Sequence, residues 1–580
     1  MAGDRGQGGT GPTLRDRLAA RVTGWRTGRP DFTLTAEPRS IGNPARGREL
    51  CAGRYHFGGH MVEAGQTGLW SVDTGGDAAF EAGRQGFGWM DDLAALGSAA
   101  AQARARAWTE GWLDLYGRGA GPGWTPQLAG RRLIRWLHHQ RWLAGDSGSG
   151  QAGDRLTGAL DHHTRFLARR ALAGGSGLAR FEALCGLTIG GLTLSGHETR
   201  AEPALRALEL ACREGIGPDG GIVSRNPEEL LAVFELLVWT DRALSDRGRL
   251  TRPELQAALE RLAQSLRALR HSDGGLARFH GGGRGTMGAL EGALALADIR
   301  PVPAEGLAMG FARLARGRTS VIIDAAPPPT GPASRTAHAA TLAFEMTSAR
   351  RPVIVNCGDG AGFGAEWARA ARATASQSTL GLDGVSSARL GTESRTRDLL
   401  TDGPREVLSD LDLSPGPASL VAGHDGYAQS HGLIHVRRLD LGVDGRALAG
   451  EDVLTAEGDA EKRRFNRAVD RAAKSGSPGV GYTIRFHLHP DVDARLDLGG
   501  RAVSLTLLSG EVWIFRHSSA ARMSLDPSVY LENTRATPVA SQQIVLSGRA
   551  KSPVTAVKWN LAKAQDTPDH LRDLHPDAAD

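Results

Sequence analysis

Two periodicities divide the chain. From about residue 80 to 315, apolar residues recur at i, i+3, i+4 and i+7 in RARAWTEGWLDLY, PQLAGRRLIRWLHHQRWLA, GALDHHTRFLARRALA, RFEALCGLTIGGLTLSG, AEPALRALELACREGI, PEELLAVFELLVWTDRALS and RPELQAALERLAQSLRALR. Gly-rich or Asp/Pro turns separate these helical segments, and Pro227 after Asn226 marks a helix start. Consecutive helices of similar length suit antiparallel hairpins packed side by side, as a bundle, a solenoid or a closed ring.

From about residue 318 the period falls to two. TSVIIDAA, LAFEM, PVIVNCG, GLIHVRRLDLGV, YTIRFHLHP, VSLTLLSG, EVWIFRH and QQIVLSG are short, often alternate, and are separated by Gly, Pro and Asp turns. No helical segment of comparable strength is expected among them, so this half reads as one large antiparallel β domain. The expected organisation is a disordered or lead-in segment over 1–40, a helical domain over 41–315, a β domain over 316–565 and a tail over 566–580. Residues 1–12 are Gly-rich and read as disordered.

Composition narrows the function less than the pattern narrows the fold. A chain of 580 residues exceeds one core, and two domains are the minimum. Net charge is +5, with no lysine-rich tail and no basic stripe interleaved with aromatics, which argues against nucleic acid as partner. The four cysteines, Cys51, Cys185, Cys212 and Cys357, show neither CxxC spacing nor a disulfide framework. The first residues contain no apolar stretch typical of a signal peptide, and no run of about 18 apolar residues predicts a membrane span.

The ordered motifs TAHAATLAFEM, VIVNCG, RAARATASQSTLGLDGVSS, GHDGYAQSHGLIHVRRL and RFHLHPDV resemble the C-terminal domain of the heparinase II/III family. The helical half is similar in grammar, through GWTPQLAGRRLIRWLHH and SRNPEELLAVFELL. The resemblance implies an α+β multidomain chain: an N-terminal α/α toroid followed by a C-terminal antiparallel β-sandwich. It also implies a polysaccharide lyase that cleaves acidic, uronate-containing glycans by β-elimination, with substrate lying between the domains. The alternative on the same scaffold is a non-catalytic protein that binds acidic glycans or serves the cell envelope. The implied setting is the periplasm or envelope; the missing signal leaves the cytoplasm as the alternative. The oligomeric state is not legible.

β-Elimination needs a neutralised carboxylate, a base for the C5 proton, and an acid for the leaving oxygen. Tyr427 and His424 in GHDGY, with His338, are the catalytic candidates; Tyr427 would be the proton donor or, equally, a buried ring tied to backbone, and His338 equally a structural histidine at a domain interface, hydrogen-bonded through both ring nitrogens. His487 and His489 alternate along a strand with Arg485, giving either a substrate-binding basic row or an outward polar face. His435 and Arg437 share a side and could extend that face. Asn226 is the nearest candidate for neutralising a carboxylate and equally a helix cap. His271, Arg278 and His280 lie on a Gly-rich loop where ligand contact and turn chemistry are both open. Together, His338, His424, Tyr427 and one of His487 or His489 are expected to share a cleft.

The resemblance further implies a structural metal with a histidine at His338, an acid at Asn356 and a histidine at Gln377, preceded by a catalytic histidine at Thr336. Only His338 of these has the expected side chain. No cofactor and no bound metal are therefore expected, with His338 the one candidate ligand.

Overall fold

A computed structural model describes residues 11–568 apart from residues 26, 35, 66, 145–150, 174, 303–305, 475, 533–534 and 536. The expected disorder of residues 1–10 and the end of the tail from 569 lie outside the described residues. The chain separates into two compact units. The first comprises Met1–Pro218, Glu229–Ala263 and Thr286–Arg300; the second comprises Asp219–Glu228, Gln264–Gly285 and Pro301–Asp580. Two short segments interrupting the helical half thus belong to the β unit, and they bring Arg225, Asn226, His271, Arg278 and His280 with them.

The first unit is the α/α toroid-type domain. Its principal helices include Ala99–Tyr116, Pro126–His138, Gln151–Arg170, Gly177–Thr193 and Glu198–Gly215. The helices Pro126–His138 and Gly177–Thr193 cross closely at Gly130 and Gly186. A methyl group on either would meet backbone of the facing helix, so the crossing excludes any side chain there. Beside it, buried Arg132 lies over the Trp112 ring at 4.1 Å and donates to the carbonyls of Gln85 and Gly123 and to His163 Nε2. Burial of a guanidinium is tolerated because its donors are used. Among the described residues, no helix is long and apolar enough to cross a membrane.

The second unit is an antiparallel β-sandwich. One eight-stranded sheet runs Val407–Asp412, Ala418–Tyr427, Leu433–Leu441, Ala447–Thr455, Val554–Gln565, Val512–His517, Ala502–Thr506 and Asp493–Asp497. The other runs Arg522–Tyr530, Val539–Ala550, Val480–Leu488, Arg351–Val355, Phe344–Ser348, Thr319–Asp324 and Phe311–Arg316, with Leu380–Leu382 also pairing Val480–Leu488. Alternate residues fill the core. Phe344 stacks on Trp559 at 5.9 Å, and Phe486 meets that indole edge-on at 4.8 Å. Gly450 stands opposite Trp559 in register, and a methyl group there would overlap the indole.

One element departs from the expected grammar. Asp459–Lys474 is a sixteen-residue helix inserted between two strands, where no helix of comparable strength was expected. Its apolar contribution is thin: only Phe465 and Ala468 are buried.

Candidate functional site

The sandwich unit holds three buried clusters in which an arginine, a carboxylate and a histidine meet. Strand register builds the first. Pairing of Leu433–Leu441 with Ala447–Thr455 sets Arg437 opposite Asp452, and pairing with Ala418–Tyr427 sets His435 opposite His424. Arg437 Nε donates to Asp452 at 2.8 Å, and its other nitrogens reach Asp452 and the carbonyls of Leu342 and Ser378. His435 Nε2 lies 2.8 Å from the same carboxylate, while its Nδ1 lies 3.3 Å from His424 Nε2. Burial alone would raise the Asp452 pKa, but Arg437 and His435 outweigh it and hold the carboxyl well below its usual range. Burial lowers His435 despite Asp452, and burial with His435 nearby lowers His424 further.

The second cluster is Arg225, Asp324 and His280. Arg225 contacts Asp324 at 2.5 Å and donates to the carbonyls of Met309, Gly310, Ala326 and Pro327. His280 Nε2 lies 3.2 Å from the other carboxylate oxygen. Asp324 is lowered because Arg225 and His280 overcome the cost of burial. The third is Arg278, Glu345 and His271, with Glu345 3.5 Å from each partner and accepting the backbone N–H groups of Arg278 and Asn356. Arg278 also lies over the Tyr530 ring at 4.1 Å. This cluster closes on a cavity of about 20 Å³, room for a water-sized group and not for a sugar.

The expected catalytic groups lie inside this framework. Tyr427 is fully buried and its hydroxyl donates to the Leu380 carbonyl at 2.9 Å. Burial pushes its pKa up. Of the two readings open for Tyr427, the geometry is that of the ring tied to backbone. His424 is 1% exposed, and its Nδ1 accepts the Gly426 N–H at 3.0 Å, closing the turn that precedes Tyr427. His338 is 1% exposed, its ring 6.3 Å from that of His280. Burial, then His280 and Arg372, hold it neutral.

His487, His489 and Arg485, the residues of the expected row, each meet a neighbour within the sandwich unit. His487 Nδ1 lies 2.7 Å from the Ser528 hydroxyl and Nε2 3.0 Å from the Ala375 carbonyl. His489 packs edge-on against Tyr530 at 4.9 Å. Burial drives both imidazoles down to about 3, so neither carries charge near neutrality. Arg485 donates to Gln543 at 3.2 Å. The shared cleft is likewise not formed by exposed groups: His338, His424, Tyr427 and His487 are each at most 2% exposed. Asn226 Oδ1 accepts the Glu228 N–H at 2.9 Å, matching the helix-cap reading.

The position that the resemblance gives to a metal does not fit one. Neither ring nitrogen of His338 has a hydrogen-bond partner among the described residues. Asn356 Oδ1, however, accepts the Ser378 N–H at 2.9 Å, and Gln377 Nε2 donates to the Ala371 carbonyl at 2.7 Å. One imidazole with two amides engaged in backbone contacts is a poor zinc set. Among the described residues, no three His, Cys, Asp or Glu side chains gather so as to hold an ion.

Sequence reasoning missed Asp324, Glu345, Asp452 and Arg225 as the anchors of these clusters. Glu345 sat visibly inside an otherwise apolar strand, LAFEM, and such an acid requires a buried partner.

A helical toroid-type domain joined to an antiparallel sandwich of this topology defines a polysaccharide-lyase-like scaffold. The Heparinase II/III-like, C-terminal family model matches residues 299–560. FtsZ-localized protein C of Caulobacter vibrioides (strain NA1000 / CB15N) is 30% identical over 540 residues, spanning 91% of this chain and 89% of that protein. The chain belongs to the heparinase II/III-like family. Among solved structures, Heparinase III is similar with a TM-score of 0.64 at 10% identity, covering 96% of this chain and 90% of that one. The heparan sulfate lyase HepC mutant from Pedobacter heparinus is similar with a TM-score of 0.58 at 12% identity, covering 96% and 88%. These two likenesses are of fold.

Proposed function

We propose that this chain recognises an acidic polysaccharide without eliminating across it, and that it works where FtsZ is found. One observation carries the first part: Tyr427, the candidate proton donor, is buried and already bonded to the Leu380 carbonyl. General acid catalysis requires a group within reach of the leaving oxygen. The neutral, buried His338, His424 and His487 support the same reading. The lyase-like scaffold supports an acidic glycan as partner, and the relative named FtsZ-localized protein C supports the setting. The cell envelope is part of this proposal, with the cytoplasm as its alternative.

A second reading, elimination by this chain, is favoured by the fold likeness to Heparinase III. The two separate in one assay. Elimination leaves a conjugated unsaturated uronate that absorbs in the ultraviolet; binding leaves none. Incubation with a panel of acidic glycans is expected to give binding by calorimetry and no rise in absorbance. A rise with any glycan would establish the second reading. A fluorescent fusion is expected to co-localise with FtsZ, and a uniform distribution would remove that part of the proposal.

A further inference from the structure

The helix Asp459–Lys474 carries six cations, Lys462, Arg463, Arg464, Arg467, Arg471 and Lys474. At about 100° per residue, Arg463, Lys474, Arg467 and Arg471 fall within an arc of about 80°. All four are exposed, and Phe465 and Ala468 face the opposite way into the protein. The row is about 17 Å long at about 1.5 Å per residue. Asp470 is the one acid inside it; Glu461 is turned toward Arg464, 3.5 Å away.

We infer that this row is a binding surface for a linear acidic polysaccharide, distinct from the buried clusters. Several observations converge on that ligand. Guanidinium groups repeated at i, i+4 and i+8 match a chain that presents carboxylates or sulfates at intervals. The exposed face has no large apolar side chain: Asp459, Ala460, Asn466 and Ala473 fill the rest of it. An interfacial helix needs an apolar wedge to enter a bilayer, and this one lacks it. It also lacks the aromatic platforms on which single-stranded nucleic acid stacks. The chain leaving the helix is held by Arg549, which donates to the carbonyls of Ser477, Pro478 and Gly479. A helix with so thin an apolar face is thereby kept on the sandwich, with its cations outward.

This inference rests on the acidic-glycan reading, and the test separates the two. The full chain is titrated with a size-defined heparin oligosaccharide and a polygalacturonate oligosaccharide, with a neutral cello-oligosaccharide as control. The triple variant Arg463→Gln, Arg467→Gln, Arg471→Gln is compared with Arg15→Gln, Arg17→Gln, Arg21→Gln. The second removes the same charge from exposed positions of the helix Leu14–Gly24. Circular dichroism and melting establish that both variants fold. The first variant is expected to bind the acidic probes at least tenfold more weakly and with shallower salt dependence, because fewer ion contacts remain to be screened. The second is expected to bind as the unmodified chain does. Equal losses in both variants would reduce the effect to net charge and overturn the site. Undiminished binding in the first would overturn it directly, as would loss of binding to anionic vesicles alone. If the unmodified chain binds no acidic probe, the acidic-glycan reading itself fails.

Discussion

Tyr427 shows how a side chain suited to chemistry can be consumed by structure. Its ring lies in the sandwich core, 5.5 Å from that of His424, and a shift in strand register between the two residues turns it inward. Removing the hydroxyl removes one hydrogen bond and leaves the Leu380 carbonyl without that donor. Tyr427→Phe is therefore expected to cost about 1 kcal/mol of stability and to leave glycan binding unchanged. Denaturant melts and calorimetry check both. A loss of binding without a loss of stability would return Tyr427 to the functional surface. His435, Arg437 and Asp452 illustrate the same principle with charge. They are buried as a set whose donors and acceptors match, so none has spare capacity for a ligand.

At the scale of elements, the switch from period 3.6 to period 2 was legible because long helices and alternating strands each repeat their pattern several times. The helix Asp459–Lys474 was not, because two buried apolar residues among six cations give little periodic signal. The strand Val480–Leu488 shows a second limit. Alternation tells which side chains share a side, but not whether that side meets water. Here Phe486, His487 and Leu488 are all buried, the histidine beneath the Ala375 carbonyl and Ser528. Burial of neutral imidazoles makes the sandwich sensitive to acid. His280, His338, His424, His435, His487 and His489 are all lowered from 6.5, the last two to about 3. A base with a depressed folded-state pKa gives stability that is fully present above its ordinary value and is lost as pH falls below it. Asp324, Glu345 and Asp452 are also depressed, so their contribution is lost in the same direction at lower pH. The melting temperature is therefore expected to fall steadily from pH 6.5 toward 3, with a total loss on the order of several kcal/mol. A His487→Gln variant should lose less over that interval. A flat profile between pH 6.5 and 4 would show that these imidazoles are not held neutral by the fold.

At the scale of the molecule, the scaffold and its chemistry are separable. The fold is similar to those of Heparinase III and a heparan sulfate lyase at 10–12% identity, a likeness of fold alone, and fold by itself does not fix chemistry. Within it, the place that the resemblance assigns to a metal is filled by His338, Asn356 and Gln377. Asn356 gives its amide oxygen to the Ser378 N–H and Gln377 its amide nitrogen to the Ala371 carbonyl, while Gln377 Oε1 has no hydrogen-bond partner among the described residues. The sandwich has other means of cohesion: buried Arg–carboxylate pairs, stacked Phe344 and Trp559, and two eight-stranded sheets. A structural metal contributes folding energy only where charged or thiolate ligands balance its charge. The protein purified without chelator is therefore expected to contain metal at well below one equivalent by elemental analysis, and its melting temperature should not change on adding EDTA. His338→Ala should lower stability by opening a cavity in the core and should leave the metal content as it was. Stoichiometric zinc, lost in that variant, would instead mean that His338, Asn356 and Gln377 do hold an ion, and that amides can complete its shell.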